Sequence, residues 1–136
     1  MSTALYVPRD SAALAVGADL VARRITEEAL ARGVDIRLVR NGSRGLLWLE
    51  PLVEVATAEG RVAYGPVTPG DVASLFDAGF LSGASHALRL GLTDQIPYLK
   101  NQERLTCARM GITDPLSLAD YQAHEGYAGL RRALAL

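Results

Sequence analysis

The 136-residue sequence has one cysteine, two histidines, almost no net charge and no long apolar run, and each scarcity removes a class of function. A single thiol, Cys107, leaves no disulfide framework and no C-x-x-C pair, so thioredoxin-type redox chemistry is not expected and a reducing, cytoplasmic setting is. Cys107 is expected to be a buried, inert thiol on a helix face. His86 and His124 lie far apart in the chain without carboxylates at ligand spacing. They read as surface or helix-end histidines rather than zinc ligands or general bases. A net charge of −1 lacks the basic excess that nucleic acid or an anionic membrane would require. No segment reaches the ~18 consecutive apolar residues of a bilayer span. The start MSTALYVPRD lacks the basic-then-apolar order of a signal peptide. Ser43, beside Gly45, lacks the G-x-S-x-G elbow of a nucleophilic serine.

What is present suits one globular core: 49% of residues are hydrophobic and 21% charged. Leu5, Tyr6 and Val7 form a short strand that stops at Pro8. Asp10 or Ser11 can cap a helix whose apolar stripe runs through Leu14, Gly17, Ala18, Val21, Ala22, Ile25 and Ala29. Arg23, Arg24, Glu27 and Glu28 fall mostly off the stripe, and Gly33 ends the helix. In VDIRLVR, residues 34–40, Val34, Ile36 and Leu38 alternate with polar neighbours as in a strand with one buried face. PLVEVAT and RVAYG, separated by Ala58, Glu59 and Gly60, predict a hairpin. Thr68 and Pro69 then open a helix that turns Val72, Leu75 and Phe76 inward until Gly79.

This order, β-α-β-β-β-α, is that of a thioredoxin-like fold: α/β, with a four-stranded mixed sheet and flanking helices. Residues 1–82 are assigned to that domain. Residues 83–136 are assigned to a helical C-terminal extension, and GFLSGASHALRLGLTDQ, residues 79–95, reads as a small-residue connector across that boundary, with a short helix predicted over Ser85–Leu90. A further capped helix is predicted from Ser117.

SRGLLWLEPLVEVATAEGRVAYGPVTPGDVASLF, residues 43–76, resembles the C-terminal half of the thioredoxin-like [2Fe–2S] subunit of respiratory complex I. In that family the loop runs C-x-G-x-C-x-x-x-P, ahead of a hairpin, a Tyr-Gly pair and a Thr-Pro-capped helix. Matching on Gly45 and Pro51 puts Ser43 and Leu47 where two cluster cysteines belong, and matching on Gly17 puts Pro8 and Ala13 at the first pair. A second stretch, residues 96–134, resembles the opening of the flavoprotein subunit of the same enzymes. Tyr98, Lys100, Gln102, Arg104, Gly111, Asp114, Pro115, Tyr121, Ala123, Gly126, Tyr127 and Leu130 keep its spacing. The combination is most similar to the start of the β (flavoprotein, diaphorase) subunit of NAD-dependent formate dehydrogenases.

The resemblance implies a non-catalytic docking domain with no catalytic, cofactor-binding or metal-binding residue. A cluster needs four thiolates, or imidazoles replacing some, and none stands at these four positions. FMN, NAD and iron–sulfur clusters are expected only in the full subunit or complex, because the family's glycine-rich flavin loop follows the position of Leu136. The implied partners are the other formate dehydrogenase subunits, above all the cluster-bearing thioredoxin-like one. Leu47 is expected to plug the vacated pocket and Trp48 to anchor an interface. A rival reading is an independent homodimeric module binding a small anion among Arg9, Arg40 and Arg44.

Overall fold

The computed structural model describes residues 2–136. Strand β1 (Thr3–Tyr6) leads into α1 (Ser11–Ala15), which Asp10 caps as expected: its Oδ1 accepts from the backbone N–H groups of Ala12 and Ala13 at 3.1 and 3.2 Å. The predicted single helix is instead two. Gly17 adopts φ +96°, a left-handed conformation that breaks the ladder before α2 (Ala18–Ala31) begins. The break turns Leu14 away, so it is 41% exposed, while Ala18, Val21, Ala22, Ile25 and Ala29 are buried along the predicted stripe. Gly33, at φ +65°, ends the helix.

Strand β2 (Ile36–Val39) runs parallel to β1, and β3 (Val53–Thr57) and β4 (Gly60–Tyr64) form the predicted hairpin. Val34 precedes β2 and is exposed rather than buried. The capping box of Thr68 and Asp71 opens α3 (Val72–Asp77), which buries Val72, Leu75 and Phe76.

The stretch expected to be helical over Ser85–Leu90 yields a fifth strand, β5 (Arg89–Leu92), antiparallel to β4. Ala87, Leu88, Arg89 and Leu90 favour helix locally, but β4 would otherwise present an unpaired edge, and the ladder prevails. Gly91, at φ +93°, lies beside the register shift at Ala63 and Tyr64 that lets the strand bend. The sheet therefore has the order β2-β1-β3-β4-β5 and takes its last strand from beyond residue 82.

Period-two alternation gives the sheet two unlike faces. Leu5, Val53, Val55, Val62 and Tyr64 join α2 and α3 in the main core. Tyr6, Glu54, Arg61 and Ala63 point the other way, where Leu46, Leu52 and Ala63 form a second, smaller core. Ile96 and Leu99, the latter on α4 (Pro97–Lys100), pack onto that core. Helices α5 (Leu118–Ala123), capped by Ser117 as expected, and α6 (Ala128–Leu134) follow. Among the described residues no helix is long and apolar enough to cross a membrane.

Candidate functional site

The loops after β1 and β2 meet at the strand ends where the resemblance places a cluster. Pro8 and Ala13 are buried there, and neither carries a donor atom. Ser43 is 8% exposed, and its hydroxyl donates to Glu50 Oε1 at 2.7 Å while accepting from the Gly45 N–H at 2.9 Å. Glu50 Oε2 accepts from the Leu52 N–H at 2.9 Å. This serine–glutamate bridge closes residues 43–52 without metal. The expected plug is shifted by one residue: Leu47 is 59% exposed, and Leu46 is the side chain driven to 0% exposure in the second core. With Pro8, Ala13 and Leu47 lacking donors and Ser43 already engaged, these residues do not fit a [2Fe–2S] cluster. Among the described residues, no group of three or more His, Cys, Asp and Glu could hold a metal ion.

Burial pushes the Glu50 carboxyl above its ordinary value, and the bonds from Ser43 and Leu52 offset this only in part. A carboxyl that holds its proton more firmly when folded favours the fold most below its unfolded value near 4.5, and loses that contribution as pH rises through the folded value. Glu50→Gln presents a neutral side chain that can serve both hydrogen-bond partners. Its stability relative to wild type should therefore rise with pH from about 4.5 upward and be flat below, in chemical unfolding followed at several pH values. An unchanging difference across that range would mean that water reaches the carboxylate.

The three arginines proposed for an anion do not form a free site. Arg40 donates to the carbonyls of Val7 and Pro8, each at 3.1 Å, and pairs with Asp19 at 2.7 Å. Arg44 is 8% exposed and forks onto Glu54, with Nε at 2.9 Å from Oε1, and also reaches Asp94 at 3.4 Å. Arg9 is exposed, and its backbone N–H bonds Asn41 O. The charges of Arg40 and Arg44 are thus committed to internal carboxylates and carbonyls, while Arg9 turns its side chain to solvent. Cys107 likewise departs from expectation: it is exposed on a turn rather than buried on a helix. His124 caps the end of α5 as expected, and His86 faces Ser74 at 3.2 Å.

Sequence reasoning missed the charged centre of the outer face. Glu54 is 1% exposed in the middle of β3, between Arg44 and Arg61, whose Nη1 lies 3.1 Å from Oε2. Arg61 also covers the Tyr6 ring at 3.4 Å from its centroid. A carboxylate flanked by Val53 and Val55, opposite a strand carrying an arginine, was the available signal. At the rim, Trp48 is 60% exposed and Tyr98 50% exposed, and their rings meet edge to face with centroids 5.1 Å apart. Together with Leu47 they make an open apolar patch beside the loop.

No family model matches the sequence, and no curated protein matches it. Among solved structures, the fold is similar to the wild-type thioredoxin-like [2Fe–2S] ferredoxin from Aquifex aeolicus, with a TM-score of 0.54 and 17% identity over 66% of this chain and 97% of that one. A cysteine-to-serine variant of that ferredoxin matches at 0.54 and 19% identity, over 65% of this chain and 98% of that one. At such identity the likeness is one of fold, and it defines the class: a thioredoxin-like α/β domain of the kind seen in these ferredoxins.

Proposed function

We propose that this chain is a non-catalytic docking domain from the β subunit of an NAD-dependent formate dehydrogenase. In this reading the parent enzyme oxidises formate and passes electrons through iron–sulfur clusters and FMN to NAD⁺, none of which this domain holds. One observation carries the reading: a ferredoxin-like fold whose four ligand positions hold Pro8, Ala13, Ser43 and Leu47, with the Ser43 hydroxyl already tied to Glu50. A domain with that fold and no place for the cluster serves by its surface, and the Leu47–Trp48–Tyr98 patch is the surface it offers.

The test is to mix the purified chain with the cluster-bearing thioredoxin-like subunit of a formate dehydrogenase and measure binding by calorimetry. A stoichiometric complex is expected, and Trp48→Ala should weaken it roughly thirtyfold, the effect of losing a central aromatic anchor worth ~2 kcal/mol. Absence of binding would overturn the docking role. Anaerobic reconstitution with iron and sulfide that gives stoichiometric, coloured protein would overturn the cluster-free premise.

A further inference from the structure

We infer that residues 101–136 form a strap that is fastened to the outer face of the sheet through its main chain and opens as a unit while the sheet stays folded. The fastening is a run of three consecutive residues. Asn41 Nδ2 donates to the Gly111 carbonyl at 2.8 Å, and Arg61 Nη1 donates to the same oxygen at 2.9 Å. Arg61 Nη2 donates to Ile112 O at 3.0 Å, and the Gly42 N–H to Thr113 O at 3.3 Å. A further bond, from Arg104 Nη2 to Arg44 O at 2.7 Å, steadies the segment near its start.

The face reads carbonyl oxygens and so places little demand on side chains, except at Gly111. There φ is +78°, and an added Cβ would press on Arg44 Cγ at 2.7 Å and Nε at 2.8 Å. Arg44 cannot give way, because its guanidinium is held by Glu54.

Hydrophobic anchoring stops short of this segment. Ile96 and Leu99 fix α4 to the second core, but beyond Lys100 the buried residues are Gly111, Thr113 and Gly126. Leu105, Leu116, Leu130 and Leu134 are 81%, 72%, 53% and 79% exposed. With little apolar surface to lose, detachment has the low free energy of a sub-global opening. Release also admits water to Asn41 Oδ1, which is buried without a partner in the closed form. The strap is cross-linked to itself: Arg109 Nε donates to His124 O at 2.7 Å, the Asp114 N–H to Asp120 Oδ2 at 2.7 Å, and the Tyr121 and Tyr127 rings meet at 5.1 Å. It therefore moves as one piece about the exposed residues 101–103.

Residue-resolved hydrogen exchange on the full chain tests this without any partner, so its failure leaves the docking reading untouched. The Gly42 amide is protected by the strap, whereas the neighbouring Arg9 amide bonds to Asn41 O within the domain. In wild type, Gly42 should exchange at least about tenfold faster than Arg9 and the amides of β3. Gly111→Ala should accelerate Gly42 about tenfold more and leave Arg9 and β3 unchanged. Asn41→Ala, which removes one donor to the Gly111 carbonyl and keeps the backbone bond from Arg9, provides the same comparison should the Gly111 variant fail to fold. Gly42 exchanging together with β3 in wild type, or variants that accelerate both alike, would overturn the strap.

Discussion

Arg44→Ala is expected to lower the free energy of unfolding by about 3 kcal/mol, measured by urea titration. The cost comes from the carboxylate left behind. Glu54 occupies the centre of the sheet, opposite Tyr6 on one side and Ala63 on the other, and is 1% exposed. Its two oxygens are shared between a fork from Arg44 and a single contact from Arg61 at 3.1 Å. Truncating Arg44 strips the better partner from a charge that water cannot reach, and Arg61 cannot replace it while serving two carbonyls and the Tyr6 ring. Desolvation of an unmatched charge outweighs the modest gain that a solvated ion pair would have offered. Arg44→Lys should recover part of the loss, since an ammonium reaches one oxygen but cannot fork. The double variant Arg44→Ala with Glu54→Gln should be less destabilised than the two single effects added together, because the buried charge is gone. A cost under about 1 kcal/mol for Arg44→Ala would mean that the outer face is wet.

The parts of this fold legible in the sequence are those set by local rules. Asp10, Thr68 and Ser117 act as caps where spacing put them, and Gly33 and Gly79 stop helices in the left-handed region. The α2 stripe and the β3–β4 hairpin follow directly from periods of 3.6 and two. What stayed hidden depends on partners distant in the chain. β5 is a strand because β4 offers an edge to it, a fact absent from the helix-favouring residues Ala87–Leu90. Leu46 rather than Leu47 turns inward because Ala63 and Leu52 leave room on the outer face, which no periodicity within a three-residue turn reveals. Arg40 and Arg44 looked free for an anion because their partners, Asp19, Glu54 and Asp94, stand on other elements. At the candidate site the residue types of the loops were legible, whereas the partners of Arg40 and Arg44 were not.

Phe80→Ala should cost about 4 kcal/mol, although Phe80 belongs to a stretch that reads as a connector. Its ring is fully buried and meets Phe76 and Tyr64 edge to face, with centroids 5.0 and 5.8 Å apart. The backbone around it has little freedom to collapse into the vacated space. Gly79 and Gly83, both near φ +78°, bracket a single turn, and a Cβ on Gly83 would already crowd Val62 Cγ2 at 3.1 Å. The Tyr64 hydroxyl donates to Ala84 O at 2.6 Å, pinning the same connector to β4. A cavity that cannot close retains most of its penalty, so the loss should lie near the upper end for aromatic truncation. Phe80→Leu, which refills much of the volume, should cost roughly 1 kcal/mol. The damage should also have a direction. Because Phe80 holds the chain that delivers β5 to the edge of β4, the amides of β5 should lose protection in Phe80→Ala before those of β1 and β3. Uniform loss of protection across the sheet would instead show that β5 and the central strands unfold as one cooperative body.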